Sequence, residues 1–355
     1  WLPACSSSDA PRSAEGSGGS AASTSTTPAS EGFERFTGAV DSFYEVPSPL
    51  PPGQPGDLIR VQEVGAADGA RSTVRVMYHS TDQTGADRAV TGVITYPTSG
   101  APDGGWPVIS TAHGTTGVAS RCALSRTATE APGWGVDGVW AMSDYIGLGP
   151  VGELHPYLSK SAEGNAVIDI VRAARELPDA AAGTEWISIG HSQGGHGALA
   201  AHELAGQRAP ELRLVATVAL APAAMVDRVY GGIDPIVTSI LTMMSLAGGS
   251  GQYPGVELAD YVTPEALAAS AIFETGCLDE IIEALIPVAA AGAFTDDPRQ
   301  TEPARSAILA NDVRAVAVDG VPPFLASGTA DDRVVIDRVR DLFDRLCDAG
   351  QVTEL

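Results

Sequence analysis

The sequence contains no run of about 18 or more apolar residues and comparatively few basic residues. The first absence excludes a typical membrane-spanning helix. The chain has 21 Lys and Arg against 44 Asp and Glu, a net charge of −23. This argues against nucleic acid as a partner, because phosphate binding needs a basic surface, and it disfavours docking on anionic membranes. A chain of 355 residues, 44% of them hydrophobic, instead predicts a soluble globular protein with a large core.

Cysteine is also scarce, with four residues at positions 5, 122, 277 and 347. Segment 2–5 resembles the end of a bacterial lipoprotein signal, so we expect Cys5 to carry lipid and to tether the protein to a membrane. Residues 6–30 are rich in Ser, Gly, Ala and Thr, which is typical of a flexible linker. The alternative is an exported protein with a disordered head and an unmodified Cys5. Both interpretations predict a protein outside the cytoplasm, extracellular or at the cell surface.

Two kinds of hydrophobic pattern divide the rest of the chain. Between residues 57 and 98, three segments alternate apolar and polar side chains, which predicts an antiparallel start of a sheet. Short apolar segments then alternate with helical ones, as is typical of a mostly parallel α/β sheet. The predicted strands are 58–64, 73–78, 88–96, 107–112, 138–142, 186–189, 214–220 and 323–326, and the predicted helices are about 162–177, 194–205 (ended by Gly206) and 334–348.

The strand pattern stops between Ala223 and about Asp312, where the sequence is helical and apolar in patches. Because this segment lies between two predicted strands, we interpret it as an inserted helical cap. Its apolar residues 236–244, such as Ile240 and Leu241, are expected to form a wall for an acyl chain. Helical packing without a functional role is the alternative. The predicted organisation is a signal remnant and linker over 1–30, a core in two parts over 31–223 and 313–355, and a cap over 224–312.

The candidate nucleophile is Ser192, the central residue of a Gly-x-Ser-x-Gly sequence from Gly190 to Gly194. The motif alone is a weak signal in a chain with 40 Gly. Here an apolar strand ends at Ile189 and a helix of small residues follows the motif, as a nucleophile elbow requires. The first amide of that helix, at Gln193, would then point toward a developing oxyanion. A structural turn is the alternative.

A second oxyanion donor is expected in the loop after an earlier strand. Residues 113–117 follow the strand that ends at Ala112, and Gly114 and Thr115 permit close approach of the backbone. We interpret His113 as a packing or hydrogen-bonding residue rather than a base.

The acid of the triad should follow a later strand, and the base should follow the acid. Asp331 comes after the strand that ends at Ala326 and is the first choice, with Asp332 as the second; an acidic helix cap is the alternative for either. The six histidines are His79, His113, His155, His191, His196 and His202, and we interpret each as a surface or packing residue.

No histidine follows Asp331, and residues 351–355 are typical of the opening of another strand. We therefore expect a C-terminally truncated chain, with the triad histidine on the order of ten residues beyond Leu355.

Jointly, these motifs resemble the secretory lipase family, which contains fungal lipase A-type enzymes and actinobacterial relatives. The resemblance covers roughly residues 50–355 and is carried by segments 113–117, 122–125, 144–149, 155–158, 190–196, 209–212, 276–278 and 346–350. It implies an α/β-hydrolase fold with a helical cap over a lipid-binding groove, and an acyl-ester hydrolase that needs no metal or cofactor.

The resemblance also implies roles for single residues. Ser192 would be the nucleophile, Asp331 the triad acid, and Gln193 with Gly114 and Thr115 the oxyanion hole.

A disulfide between Cys122 and Cys277 is likewise implied by the resemblance. If Cys5 carries lipid, Cys347 would then need a partner farther along the chain.

The sequence therefore predicts a monomeric, secreted or cell-surface serine ester hydrolase, either a lipase or a carboxylesterase. It would act on small-molecule or lipid esters such as acylglycerols through an acyl-enzyme. Two alternatives stay open: a catalytically impaired exported binding protein that kept the pocket, and an esterase for short acyl chains or a polymer ester.

Overall fold

The computed structural model describes residues 32–65, 69–228, 231–250, 252–313, 320–351 and 353–355, together with the backbone of residues 4–5. The predicted linker over 6–30 lies outside the described residues. Within them, eleven strands form one sheet. They are β1 (Ala4–Cys5), β2 (Glu34–Arg35), β3 (Leu58–Gly65), β4 (Arg71–Thr81), β5 (Asp87–Pro97), β6 (Trp106–Ala112), β7 (Val139–Ser143), β8 (Ala182–His191), β9 (Arg213–Leu220), β10 (Pro323–Ala326) and β11 (Thr353–Glu354).

Eight α-helices accompany the sheet in the same part of the chain. They are α1 (Val40–Phe43), α2 (Lys160–Glu176), α3 (Gln193–Arg208), α4 (Pro235–Gly249), α5 (Pro264–Ala269), α6 (Leu278–Ala291), α7 (Ala304–Asn311) and α8 (Ile336–Asp348). One predicted helix end is wrong, because α3 continues through Gly206 to Arg208. A single glycine costs a helix about 1 kcal/mol, which the buried contacts of α3 outweigh.

The sheet order is β1-β11-β10-β9-β8-β6-β7-β5-β4-β3-β2. Neighbouring strands from β11 to β7 run parallel, whereas β5, β4 and β3 add an antiparallel meander at one side. This confirms the predicted α/β fold with a mostly parallel sheet. Because β8 lies between β6 and β9, residues that follow β8 are flanked by the ends of both neighbouring strands.

Helices α2 and α3 pack against each other over the central strands. A Cβ at Gly164 in α2 would lie 2.9 Å from the backbone of Ala200 in α3, so the two helices approach closely because Gly164 has no side chain. At the other end of the core, α8 buries Val339, Leu342 and Leu346 together with residues of β9, β10 and α3. These contacts fix the frame on which the loops at the ends of β6, β8 and β10 are carried.

Helices α4 to α7 lie between β9 and β10 in the sequence, within the segment predicted as a cap. Together with the segment that links α5 to α6, they supply most of a hydrophobic cluster, which includes Ile240, Met243, Phe273, Ile281 and Leu285. We call this unit of four helices the cap; its boundaries at 224 and 312 stay predictions. Among the described residues, every helix is too short or too polar to cross a membrane.

Strand β11 pairs in parallel with β10 and antiparallel with β1. Residues 351–355, which were predicted to begin a strand, thus contain strand β11. Cys347 is disulfide-bonded, so the expectation that it needs a partner farther along the chain is wrong. That expectation rested on a count of thiols and not on their positions. The lipid attachment predicted at Cys5 falls outside the described residues, which include only the backbone of this residue.

Candidate active site

Ser192 lies between the end of β8 and the start of α3, with φ 60° and ψ −119°. Such a conformation in a non-glycine residue costs about 1–3 kcal/mol and persists only where the surroundings hold it. Here the Ser192 amide donates to the Leu220 carbonyl oxygen at 2.9 Å, and the Ala223 amide donates to the Ser192 carbonyl oxygen at 3.0 Å. The end of β9 therefore holds the turn in the geometry of a nucleophile elbow.

The two glycines of the motif are required by close backbone packing. A Cβ at Gly190 would lie 2.1 Å from the Gly194 carbonyl oxygen, and a Cβ at Gly194 would lie 1.9 Å from the Ala112 carbonyl oxygen. No side chain fits at these distances. The first turn of α3 can therefore lie directly on the end of β6, which brings the loop after β6 beside Ser192.

That loop, residues 113–117, is called the oxyanion loop because it carries the predicted second donor. A Cβ at Gly114 would lie 3.5 Å from the His191 carbonyl oxygen, so the loop runs beside the elbow, and Thr115 follows directly. Gln193 is the first residue of α3, and its backbone amide therefore has no acceptor within the helix. The structure thus brings the predicted donors to the candidate nucleophile.

A disulfide joins Cys122 to Cys277, with Cα atoms 5.5 Å apart and a sequence separation of 155 residues. Closing a loop of that length stabilises the folded state by about 5 kcal/mol in the chain-entropy account. Next to it, Gly117 forms a bridge with Cys277, and the Leu278 amide donates to the Thr116 carbonyl oxygen at 2.8 Å. These contacts fix the oxyanion loop against the start of α6 in the cap.

Asp331 lies half-buried in the turn between β10 and α8. Its Oδ1 accepts hydrogen bonds from the backbone amides of Arg333 at 2.8 Å and Val334 at 2.9 Å, whereas Oδ2 accepts none from the described residues. Arg333 and Val334 line the pocket that contains Ser192, so the turn that carries Asp331 borders this pocket. Asp331 caps its own turn rather than α8, and Asp332 is exposed.

Within the part of the chain described, no histidine forms a hydrogen bond with the side chain of Ser192 or Asp331. His196 lines the pocket, but its Nδ1 binds Glu163 Oε2 at 2.6 Å and its Nε2 binds the Asn311 carbonyl oxygen at 2.8 Å. Because each ring nitrogen faces an acceptor, each carries a proton, and His196 has no lone pair for base catalysis. The site contains no assigned base among these residues.

Glu163 in α2 is a residue of the site that the sequence reasoning missed. Its side chain is fully buried. Burial alone would raise the pKa of this carboxyl group, but the charge and hydrogen bond of His196 and the nearby His155 ring, whose Nε2 lies 3.5 Å from Glu163 Oε1, hold the pKa at about 2. One signal for a buried polar partner was available in the sequence. His196 follows Ser192 by four residues, and residues at that spacing lie on the same face of a helix, so the spacing places His196 near the candidate nucleophile.

The pocket over Ser192 is mainly apolar, and part of its wall comes from α4 of the cap. Leu241 lines the pocket, as predicted, but Ile240 does not. Ile240 is fully buried in the cap's own cluster, because successive residues on a helix point about 100° apart. Other apolar residues of the lining are Leu158, Val226, Ile233, Leu246, Val256 and Ile308.

Among the described residues, no group of three or more His, Cys, Asp or Glu is placed to hold a metal ion. A model of the secretory lipase family matches residues 131–354, which include Ser192, Gln193 and Asp331. The chain belongs to the secretory lipase family. In this secretory lipase the oxyanion loop precedes the matched residues. No curated protein matches the chain.

Solved structures show the same fold as this secretory lipase. The rice cell wall degrading esterase LipA from Xanthomonas oryzae has 17% sequence identity and a TM-score of 0.67, over 84% of this chain and 89% of that chain. Candida antarctica lipase A has 16% identity and a TM-score of 0.70, over 88% of this chain and 78% of that chain. Family and fold together support a carboxylic ester hydrolase.

Proposed function

We propose that this secretory lipase hydrolyses acyl esters through an acyl-enzyme on Ser192. The observation that carries the proposal is the position of Ser192, which is half-buried in a strained elbow between strand and helix and lines a mainly apolar pocket. A hydroxyl group in this position is accessible to a substrate. It also lies beside the Gln193 amide, which has no acceptor within α3, and beside the oxyanion loop.

In the proposed reaction, Ser192 Oγ bonds to the ester carbonyl carbon while a histidine takes the hydroxyl proton. The carbonyl oxygen becomes an oxyanion, held by the Gln193 amide and an amide at Gly114 or Thr115. The bond to the alcohol oxygen then breaks, and the alcohol leaves with the proton from the histidine. Water repeats the sequence on the acyl-enzyme and frees the carboxylic acid.

The acid and base of this proposal have different support. Asp331 is proposed to orient the base, since its Oδ2 accepts no hydrogen bond from the described residues and its turn borders the pocket. The base is proposed to be a histidine later than Asp331 in the chain order of this fold.

The apolar lining supports acyl esters as the substrate class, with the cap as the wall for the acyl chain. Export is proposed from segment 2–5 and the family.

Replacement of Ser192 by alanine tests the proposal. In the full-length protein, Ser192→Ala should lower kcat for a p-nitrophenyl ester by about ten-thousandfold or more, because the covalent centre is lost. Ser245→Ala is the matched control, since Ser245 lines the same pocket and binds only the Leu241 carbonyl oxygen among the described residues. It should stay within about threefold of the wild type. Retention of more than about a tenth of the activity by Ser192→Ala would remove Ser192 from the mechanism.

A further inference from the structure

Helix α2 carries two fully buried carboxylates, Glu163 and Asp169, which have different partners. Asp169 binds the guanidinium groups of Arg172 and Arg208 and the hydroxyl group of Ser80. None of these residues lines the pocket. Asp169 is therefore a structural ion-pair residue, and it supplies a natural reference for Glu163, whose partners belong to the elbow.

Three hydrogen bonds connect the Glu163 carboxylate to its surroundings. Oε1 accepts from Gln193 Nε2 at 2.8 Å and from the Leu158 amide at 2.9 Å, and Oε2 accepts from His196 Nδ1 at 2.6 Å. Gln193 and His196 follow Ser192 by one and four residues and belong to the first turn of α3. Two side chains of one turn that bind one carboxylate fix the rotation of that turn about the helix axis.

The third bond extends this connection to the oxyanion loop. Leu158 has a left-handed backbone, with φ 58°, and its neighbour Tyr157 shares a hydrogen bond of 2.8 Å between its hydroxyl group and Thr115 Oγ1. Glu163 thus contacts both the helix turn that carries the Gln193 amide and the segment that contacts the oxyanion loop. A change in the carboxylate would shift these two parts of the oxyanion hole relative to each other.

His196 takes part in this arrangement as a cation. Burial alone would lower the pKa of its imidazole, but the Glu163 carboxylate and the Asn311 carbonyl group raise it. Asn311 ends α7, so the pair also ties the last helix of the cap to the elbow. A buried pair of this kind resists rearrangement, because removal of one partner leaves the other buried without compensation.

We propose that Glu163 is a positioning residue for ester hydrolysis: it holds Ser192 and the Gln193 amide in register with the oxyanion loop. This inference rests on the proposed function of Ser192. Glu163 does not touch the reacting atoms and acts through Gln193, His196 and Leu158.

The test is Glu163→Gln in the full-length protein. The amide oxygen can still accept from Leu158 and Gln193, and the amide nitrogen can donate to Nδ1 of a neutral His196, but the ion pair with His196 is lost. We expect kcat to fall about 10- to 100-fold with KM within about threefold, because misplacement of a donor weakens the transition state more than the bound substrate. The rate constant for phosphonylation by a p-nitrophenyl alkylphosphonate should fall by the same factor as kcat/KM.

Asp169→Asn is the matched control. It removes the other buried carboxylate of the same helix and should lower Tm by a comparable amount, yet kcat should stay within about twofold of the wild type. All rates are measured at a temperature where circular dichroism shows each variant folded.

If Glu163→Gln does not fold, Gln193→Leu gives a second test. This variant keeps the backbone amide but removes the Nε2 donor, and we expect kcat to fall about 3- to 10-fold. The proposal is overturned if kcat of Glu163→Gln, or of Gln193→Leu where it replaces that variant, stays within twofold of the wild type. It is also overturned if Asp169→Asn loses as much kcat as the measured variant. Ser192→Ala in the same series separates the two claims: activity retained there defeats the proposed function, whereas its loss beside an active Glu163→Gln defeats only this inference.

Discussion

The nucleophile side and the acid side of the proposed triad are held in different ways. Ser192 lies between a central strand and its helix, and residues distant in sequence (Leu220, Ala223 and Glu163) hold its turn. Asp331 follows a four-residue strand, and its hydrogen bonds come from amides two and three residues later. The first arrangement is made by tertiary contacts and the second by a local turn.

This difference indicates where catalysis and folding are coupled. On the nucleophile side, buried titratable groups support the elbow, so changes there should affect stability and activity together. On the acid side, the half-buried carboxyl group has one oxygen free of contacts with the described residues, so its chemistry can be altered with little cost to the fold. Substitutions on the two sides and in the cap should therefore differ in both the kind and the size of their effect.

Among substitutions that leave the Ser192 hydroxyl group in place, the largest effect is expected on the acid side. Asp331→Asn keeps an oxygen for the amides of Arg333 and Val334 but removes the charge that would orient and stabilise the base. In the full-length protein, kcat should fall about a thousandfold or more while Tm changes little. Asp332→Asn, the same change at the exposed neighbour, should leave kcat within about twofold. Equal losses in both variants, or loss only at Asp332, would move the acid role away from Asp331.

A smaller effect concerns acid stability on the nucleophile side. His202 in α3 donates to or accepts from Thr217 Oγ1 at 2.9 Å, and burial, partly offset by the Gln351 hydrogen bond, lowers its pKa to about 4. The folded pKa lies below the ordinary value of 6.5, so the unfolded chain binds the proton first as pH falls. The contribution of His202 to stability is therefore complete above pH 6.5 and is lost toward pH 4, by about 3 kcal/mol in unfolding free energy.

Denaturant unfolding at pH 7 and pH 4.5 measures this loss. His202→Gln should show a clearly smaller difference between the two pH values than the wild type, even if it is less stable at both. An unchanged difference would show that another group causes the acid loss. The carboxyl group of Glu163 does not interfere in this range, because its lowered pKa places its contribution between pH 4.5 and about 2.

The smallest effect is expected in the cap, which closes the pocket over both sides. Leu241→Asp should lower kcat/KM for long-chain esters about tenfold more than for acetate esters, because only a long chain buries apolar area against Leu241. Leu267→Asp is the matched control, since Leu267 is exposed on α5 of the cap. It should leave the ratio unchanged. Equal losses on both substrates in Leu241→Asp would indicate unfolding of the cap instead.

The contrast between the two sides also explains what the sequence could predict. The strands were predictable because buried apolar segments mark them. The position of Ser192 in an elbow was predictable because a strand, a glycine-flanked turn and a helix are contiguous in sequence. The position of Asp331 in the turn after β10 was predictable for the same local reason. Glu163 was not, because its contacts with Gln193 and His196 span about 30 residues and a charged residue in a helix is usually exposed.

The wrong predictions, like the missed Glu163, concern features that depend on more than the local sequence. The wall position of Ile240 depended on how α4 packs against α6, which the sequence of α4 alone does not specify. The end of α3 depended on tertiary contacts that carry the helix past Gly206. The expectation for Cys347 depended on the assumption that Cys5 carries lipid, whereas Cys347 is disulfide-bonded.

Covalent labelling tests the central claim most directly. The full-length protein is treated with a p-nitrophenyl alkylphosphonate, and the adduct is located by intact mass and peptide mapping, with Ser192→Ala and prior denaturation as controls. The account predicts one phosphonyl group per chain, on Ser192, with release of one p-nitrophenolate and no label in either control. A label on another residue, or ester turnover that leaves Ser192 unlabelled, would contradict it.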